Sequence, residues 1–272
     1  MEQRILGVFL FFVAAAAYAA PAPLVVIGAP NGSAPQMRAR FAPLVRYLSQ
    51  AMGRPVRFRT NNNLVTFGVE VQTHRAAIMF AAPHILSWAQ KYYHYKPVLA
   101  GAGRLSFVVV ARPNSHVTLK SLGYEMPVCG VPAPNLATTA LLRFYPSQSL
   151  RQPHIVAVPS PAAAIAGVLH GRCRAAVVPL HAAARQHLVR TVASVGVFPN
   201  QGFAISGALS PALQQRLAQA LLGAARAGAL KTIQQADGIS GWKTPRPLEY
   251  AHYSSLVSGM LGFAVPPASG GG

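Results

Sequence analysis

The chain has 272 residues, 52% hydrophobic and 11% charged, which is ample for one large or two smaller cores and excludes a disordered chain. Its 24 Lys and Arg against 5 Asp and Glu give a net charge of +19. Because the basic residues, among them Arg38, Arg59, Arg104, Arg143 and Arg190, are spread along the chain rather than gathered in one patch, they argue against a nucleic-acid partner; a basic surface suited to an acidic exterior fits better.

Residues 1–19 read as a cleavable signal peptide: a short Met-Glu-Gln-Arg start, an apolar run over 5–17, and the small-x-small site Ala17-Tyr18-Ala19. Its loss removes Glu2 and Arg4 together and leaves the charge at +19. The run is too short for a membrane span and no later stretch is long and apolar enough, so the expectation is an exported, periplasmic protein that is not inserted in the membrane after cleavage.

The mature chain then alternates. Residues 24–29 predict a strand, Asn31-Gly32-Ser33 a turn with Ser33 as helix cap, and Met37, Phe41, Leu44, Val45, Leu48 and Met52 recur at helical spacing. Pro43 interrupts that pattern, predicting a kink or a helix best formed over 43–52; Gly53 closes it, and 56–60 alternates as a strand. The stretch 78–88 is the most informative: an apolar run ending at Pro83 reads as a buried parallel strand, and His84, Ser87 and Trp88 follow its carboxyl end, where open α/β sheets bind ligands. A helix over 85–93 and strands over 96–101 and 105–112 come next.

A second β-α series starts at Pro127, with strands over 127–132, 154–158, 175–178 and 193–198. Helices are predicted over 136–144, from Ser160-Pro161 to Gly171, and over 181–189. A strand over 202–206, a helix from Ser210-Pro211 to about residue 225 and an amphipathic helix over 247–261 complete the chain. The fold class is α/β: two lobes with a ligand cleft between them, lobe 1 comprising residues 20–109 and 200–263 and lobe 2 residues 110–199, joined by crossovers near 105–112 and 198–206. Residues 264–272 have the composition of a flexible tail.

Cys129 and Cys173 are an even pair in an exported chain and are a candidate disulfide; two free buried thiols are the alternative. No catalytic constellation appears. Beyond the leader the acidic residues are Glu70, Glu125, Asp237 and Glu249, none near another in sequence, and no nucleophile elbow, His-Glu-x-x-His or nucleotide loop is present. Nine scattered histidines keep copper or zinc binding as an alternative, although only His181 and His187 are near neighbours. The chemistry left is anion capture at strand-to-helix turns, where unpaired N–H groups and the helix dipole favour an oxyanion. The candidates are Asn31, Gly32 and Ser33; His84, Ser87 and Trp88; Asn135, Thr138 and Thr139; and Ser160. For each, a purely structural role as cap or packing residue is the alternative.

The segment from Phe41 to Val56, the run Ala76-Ala-Ile-Met-Phe-Ala-Ala-Pro-His84, Arg104 to Arg112, and Val128 to Thr139 resemble, in that order, the PhnD-like family of periplasmic phosphate, phosphite and phosphonate binding proteins. The resemblance implies a type II periplasmic-binding-protein fold with a double-crossover hinge and delivery of a small oxyanion to an ABC transporter permease; a monomer without cofactor or enzymatic activity is expected. A periplasmic sensor or scaffold of the same fold is the alternative. The chain departs from the family pattern with Ala82 ahead of Pro83, Leu86 in place of a tyrosine, and Arg75 and Arg174 in place of acidic residues. With no carboxylate in the proposed turns, the expected ligand is an oxyanion without a cationic tail.

Overall fold

A computed structural model of the chain describes residues 22–123, 125–145 and 152–267. The predicted signal peptide and residues 268–272 of the predicted tail lie outside the described residues.

The chain opens with β1 (Leu24–Gly28), α1 (Ala34–Met52), β2 (Val56–Arg59), α2 (Leu64–Gln72), β3 (Ile78–Ala81), α3 (Pro83–Tyr93) and β4 (Lys96–Gly101). It continues with β5 (Arg104–Ala111), α4 (Leu119–Leu122), β6 (Pro127–Gly130), α5 (Leu136–Leu142), β7 (His154–Ala157), α6 (Pro161–Leu169), β8 (Ala175–Pro179), α7 (Leu180–Ala183) and β9 (Arg190–Pro199). Then come β10 (Gly202–Ile205), α8 (Pro211–Arg226), α9 (Lys231–Asp237), β11 (Trp242–Lys243) and a 3₁₀ turn, Ser254–Leu256.

These strands form two sheets, ordered β11-β4-β10-β3-β1-β2 and β7-β6-β8-β5-β9. The chain changes sheet between β4 and β5 at Ala102–Gly103 and returns between β9 and β10 at Asn200–Gln201. β5 belongs as a whole to the second sheet, so a division after residue 109 runs through a strand, whereas sheet membership divides the chain at 102–103. The two passages lie side by side: Gly101 N–H donates to the Gln201 carbonyl at 2.8 Å and the Asn200 side-chain amide to the Ala102 carbonyl at 3.1 Å.

β3 shows why a central strand is apolar at every position. It pairs parallel with β1 and antiparallel with β10, and all four of its residues are buried. Ile78 and Phe80 face a core shared with Phe41, Leu44, Leu48, Phe203 and Leu221, while Met79 and Ala81 face one shared with Phe67, Trp88, Tyr250 and Phe263. Two further cores cover the faces of the second sheet.

α1 is one helix from Ala34 to Met52 with Pro43 inside it. Burial of Phe41, Leu44 and Leu48 at 0% exposure offsets the roughly 3 kcal/mol cost of an interior proline. α2 was not expected, because Val65, Thr66, Val69, Val71 and Gly68 are poor helix formers. Tertiary packing makes it: a Cβ on Gly68 would lie 2.0 Å from the Gly262 carbonyl oxygen, so the glycine lets the C-terminal segment lie directly on the helix.

Two expectations are corrected, and one helix that borders the cleft was not predicted. The helix predicted over 181–189 is the single turn of α7, because from Arg190 the chain is already paired to β5. α9 has no counterpart in the predicted elements. The amphipathic helix predicted over 247–261 is a series of turns with one 3₁₀ turn at Ser254–Leu256. Its apolar residues go to different cores, Tyr250 and Val257 to the first sheet and Leu256 to the second, and one helix face cannot serve both.

Cys129 and Cys173 are joined in a disulfide across 44 residues, beside the parallel pairing of β6 with β8. Closing a loop of that length restricts the unfolded chain by about 4 kcal/mol in the chain-entropy model, and native bridges usually deliver about 2–4 kcal/mol. Replacing both residues by serine is expected to lower unfolding free energy by about 2–4 kcal/mol, read as a lower denaturant midpoint without reductant. Wild-type protein treated with reductant should shift in the same direction.

Candidate functional site

A cleft of about 640 Å³ lies between the two sheets, and the turns leading into α1, α3, α5, α6 and α7 all contribute to its wall. From the first sheet come Asn31, Gly32, Gln36, Arg40, Ala82 and His84; from the second come Asn135, Ala137, Ser160, Ala162, His181 and Arg185. Gln201, next to a crossing, and Asp237, at the end of α9, complete the polar wall. First-turn N–H groups of helices have no intrahelical acceptor, so five such turns around one space make an electropositive enclosure.

Of the ten ligand-binding residues expected from sequence, Asn31, Gly32, His84, Asn135 and Ser160 line this cleft, and the other five are not part of its wall. Ser33 forms a reciprocal capping box with Gln36, its backbone N–H donating to Oε1 at 2.9 Å. The Ser87 hydroxyl oxygen accepts the Tyr253 N–H at 3.1 Å, fixing the chain beside the 3₁₀ turn. Trp88 is buried against Tyr93 and Phe263 and donates its indole N–H to the Ala264 carbonyl at 3.0 Å. That bond also pins the first residue of the segment predicted to be flexible. The Thr138 hydroxyl donates to the Val131 carbonyl at 2.6 Å, and Thr139 is buried with its hydroxyl unpartnered among the described residues. Asn135 and Ser160 also act as caps, accepting from Ala137 N–H at 3.0 Å and Ala163 N–H at 3.2 Å.

His84 spans the cleft. It starts α3, on the first-sheet side, and its Nε2 meets the Pro134 carbonyl of the second-sheet loop at 2.8 Å, with 1% of the residue exposed. A carbonyl only accepts, so Nε2 carries the proton and Nδ1 presents a lone pair, which has no partner among the described residues. Burial lowers the imidazole pKa from 6.5 to about 4, and the Pro134 bond only partly opposes it. At neutral pH His84 is therefore an uncharged imidazole whose Nδ1 can only accept.

Asp237 is a buried polar residue of the cleft wall that sequence reasoning missed. Only 3% exposed, it receives Asn31 Nδ2–H on Oδ1 at 3.0 Å, with Arg40 NH1 at 3.7 Å from the same oxygen. Burial raises its pKa, and Arg40, Gln201 and Asn31 pull it back down. The Gln201 amide is close enough to act on the charge yet makes no hydrogen bond of ordinary geometry, and Oδ2 has no partner among the described residues. No carboxylate stands in the proposed turns themselves, but α9 brings one to the cleft wall from 206 residues away. The available signal was scarcity, because Asp237 is one of only 5 acidic residues in the chain. Opposite it, the His181 ring packs on Gly238, where a Cβ would lie 2.7 Å from Cγ. Among the described residues no group of three or more His, Cys, Asp or Glu forms a metal cluster.

The family model described as ABC transporter, phosphonate, periplasmic substrate-binding protein matches residues 26–250. The chain belongs to this family. Its members are the periplasmic substrate-binding components of ABC transporters, and the structure has the type II periplasmic-binding-protein fold. PhnD1 from Prochlorococcus marinus in complex with methylphosphonate is similar at 13% identity and TM-score 0.69, over 86% of this chain and 96% of that one. XAC2383 from Xanthomonas citri bound to ATP is similar at 14% identity and TM-score 0.70, over 86% and 96%. A binding protein component of an ABC phosphonate transporter, PA3383 from Pseudomonas aeruginosa, is similar at 12% identity and TM-score 0.67, over 84% and 83%. At these identities the likeness is one of fold. No curated protein matches the sequence.

The His84 imidazole sets a pH dependence. Its depressed folded-state pKa means that the unfolded chain takes up the proton first, so the contribution to stability is complete above about pH 6.5 and is lost as pH falls to about 4. The expected loss over that window is about 3 kcal/mol. Histidine-labelled NMR should show His84 held as the Nε2–H tautomer from pH 8 to 5. A His84→Gln variant should flatten the fall in denaturation midpoint between pH 6.5 and 4.

Proposed function

We propose that this protein captures a small phosphorus oxyanion, phosphate, phosphite or a simple phosphonate, between its two lobes and delivers it to the permease of an ABC importer. The observation that carries the reading is the convergence of five strand-to-helix turns, from both sheets, on one enclosed space. Helix N-termini offer fixed N–H donors in a cleft of a size suited to a small ligand, and the Arg40 and Arg185 guanidiniums add positive charge at the wall. Membership in a phosphonate-binding family supports the ligand class. Nothing in the arrangement calls for bond making: the wall residues hold and orient, and neither a nucleophile–base pair nor a pair of carboxylates is assembled there. The export signal read over residues 1–19 would carry the chain to the compartment where such capture occurs.

Calorimetry of the mature protein with phosphate, phosphite and methylphosphonate is expected to give saturable one-to-one binding for at least one of them. Native mass spectrometry of protein taken from its own periplasm should show the same ligand retained. Absence of binding by all three, in protein shown to be folded, overturns the reading.

A further inference from the structure

Cations that are scattered in the sequence are gathered in the fold, at the end of the second sheet away from the cleft. Cross-strand register fixes that end: Ala111 of β5 faces Ala175 of β8 and Arg190 of β9, and Val128 of β6 faces the same Ala175. Arg112, Arg174 and Arg190 therefore lie in one row, whereas Leu105, Phe107 and Pro179, at the opposite end of these strands, line the cleft. Neighbouring segments add to the row. Arg172 precedes β8, Arg143 ends α5, and Lys120 lies on α4, which Tyr145 holds by donating its hydroxyl to the Leu119 carbonyl at 2.6 Å. Of these six side chains all but Arg190 are exposed, and the acidic residue described beside them is Glu125. The ion pairs among the described residues all lie elsewhere.

Two of the six serve the fold. Arg112 donates to the last carbonyls of α6, Val168 at 2.9 Å and Leu169 at 2.8 Å, and Arg190 to the Val117 carbonyl at 3.1 Å. Carbonyls leave the positive charge in place, and these bonds do not account for Lys120, Arg143, Arg172 or Arg174. Arg112, Arg174, His116 and His170 line a recess of about 1040 Å³ whose wall also includes Leu169 and Leu188. Leu188 is 64% exposed, and Phe144, beside Arg143, is 50% exposed. Cations that attract phosphate groups and apolar side chains that enter the acyl boundary are the two parts of a peripheral membrane contact.

We propose that this end of the second sheet docks on an anionic phospholipid surface, with headgroup phosphates at Lys120, Arg172 and Arg174 and with Leu188 and Phe144 entering the interface. A small free anion would use the recess alone and leave Lys120, Arg143 and Phe144 without a role, whereas a bilayer engages the whole face. No described helix is long and apolar enough to cross a membrane, so the contact is peripheral. The cleft, at the other end of the same strands, then faces away from the lipid and stays open to ligand, while the protein is held near a membrane-embedded permease. This docking does not depend on which ligand the cleft takes.

The test is co-sedimentation of the mature protein with vesicles of phosphatidylglycerol and phosphatidylcholine in equal parts, and with vesicles of phosphatidylcholine alone. The mixed vesicles are expected to bind at least about tenfold more tightly, and high salt should release the protein. The triple variant Lys120→Gln, Arg172→Gln, Arg174→Gln should bind them at least about tenfold more weakly than the wild type. Arg46→Gln, Arg57→Gln, Arg226→Gln removes the same charge from exposed positions beside the first sheet and should change binding by less than about threefold. Equal loss in the two variants assigns the attraction to the charge of the whole chain and overturns the docking face. Equal binding of the wild type to both kinds of vesicle overturns the proposal whether or not the variants fold. Capture of the wild type by polyglutamate or duplex DNA, without binding to the mixed vesicles, overturns it in favour of another acidic partner. In Leu188→Trp, tryptophan emission should shift to the blue on the mixed vesicles by more than in the wild type; an unchanged spectrum overturns the seating of that side chain in the interface.

Discussion

The two crossings between sheets are held side by side by a backbone bond from Gly101 to Gln201 and by the side chain of Asn200. Asn200 sits on the returning crossing, sends its amide to the Ala102 carbonyl on the outgoing one, and receives the Tyr250 hydroxyl on its own carbonyl at 3.0 Å. It is 3% exposed, so these bonds are made away from water and are expensive to lose. Everything at the cleft depends on this constraint: with the crossings side by side, the carboxyl ends of β1 and β3 face those of β6, β7 and β8 across one space. The turns that follow those strands can then act on a single ligand although they are scattered over more than 150 residues of chain.

The fold was legible where one local rule sufficed. Ile78 to Ala81 announced a strand buried on both faces, Pro83 marked its end, and Ser33, Ser160 and Ser210 announced helix starts by the chemistry of their side chains. It was illegible where long-range packing decided. α2 carries β-branched residues and a glycine that make sense only against Gly262, and residues 247–261 look helical until Leu256 and Val257 are seen to serve different cores. The same division runs through the site. Asn31, His84, Asn135 and Ser160 follow strands and could be found by position, whereas Asp237 closes a helix that no periodic pattern disclosed. Trp88 and Ser87 show the converse, since proximity in sequence to a strand end does not by itself put a residue in the cleft wall.

The charge balance also takes on a different meaning. Three of the four carboxylates beyond the leader are engaged: Glu70 with Arg59, Asp237 with Arg40, and Glu249 with Lys243. The chain has few acidic residues, but it spends those few on native contacts, and His84 adds a buried imidazole that acid would charge. A scarcity of carboxylates is therefore not equivalent to indifference toward pH.

The C-terminal segment is usually thought of as what remains after the lobes are complete. Here Ser87 holds the Tyr253 backbone to the first lobe while the Tyr253 ring packs edge-on against Phe198 of β9, with centroids 5.7 Å apart, and Leu256 enters the second-sheet core. A third run of chain thus bridges the lobes beside the two crossings. Any rotation that opens the cleft must slide an aromatic contact and withdraw a leucine as well as break the bond from His84 to Pro134. Such contacts make a repacking of side chains, rather than backbone rotation alone, the cost of separating the lobes.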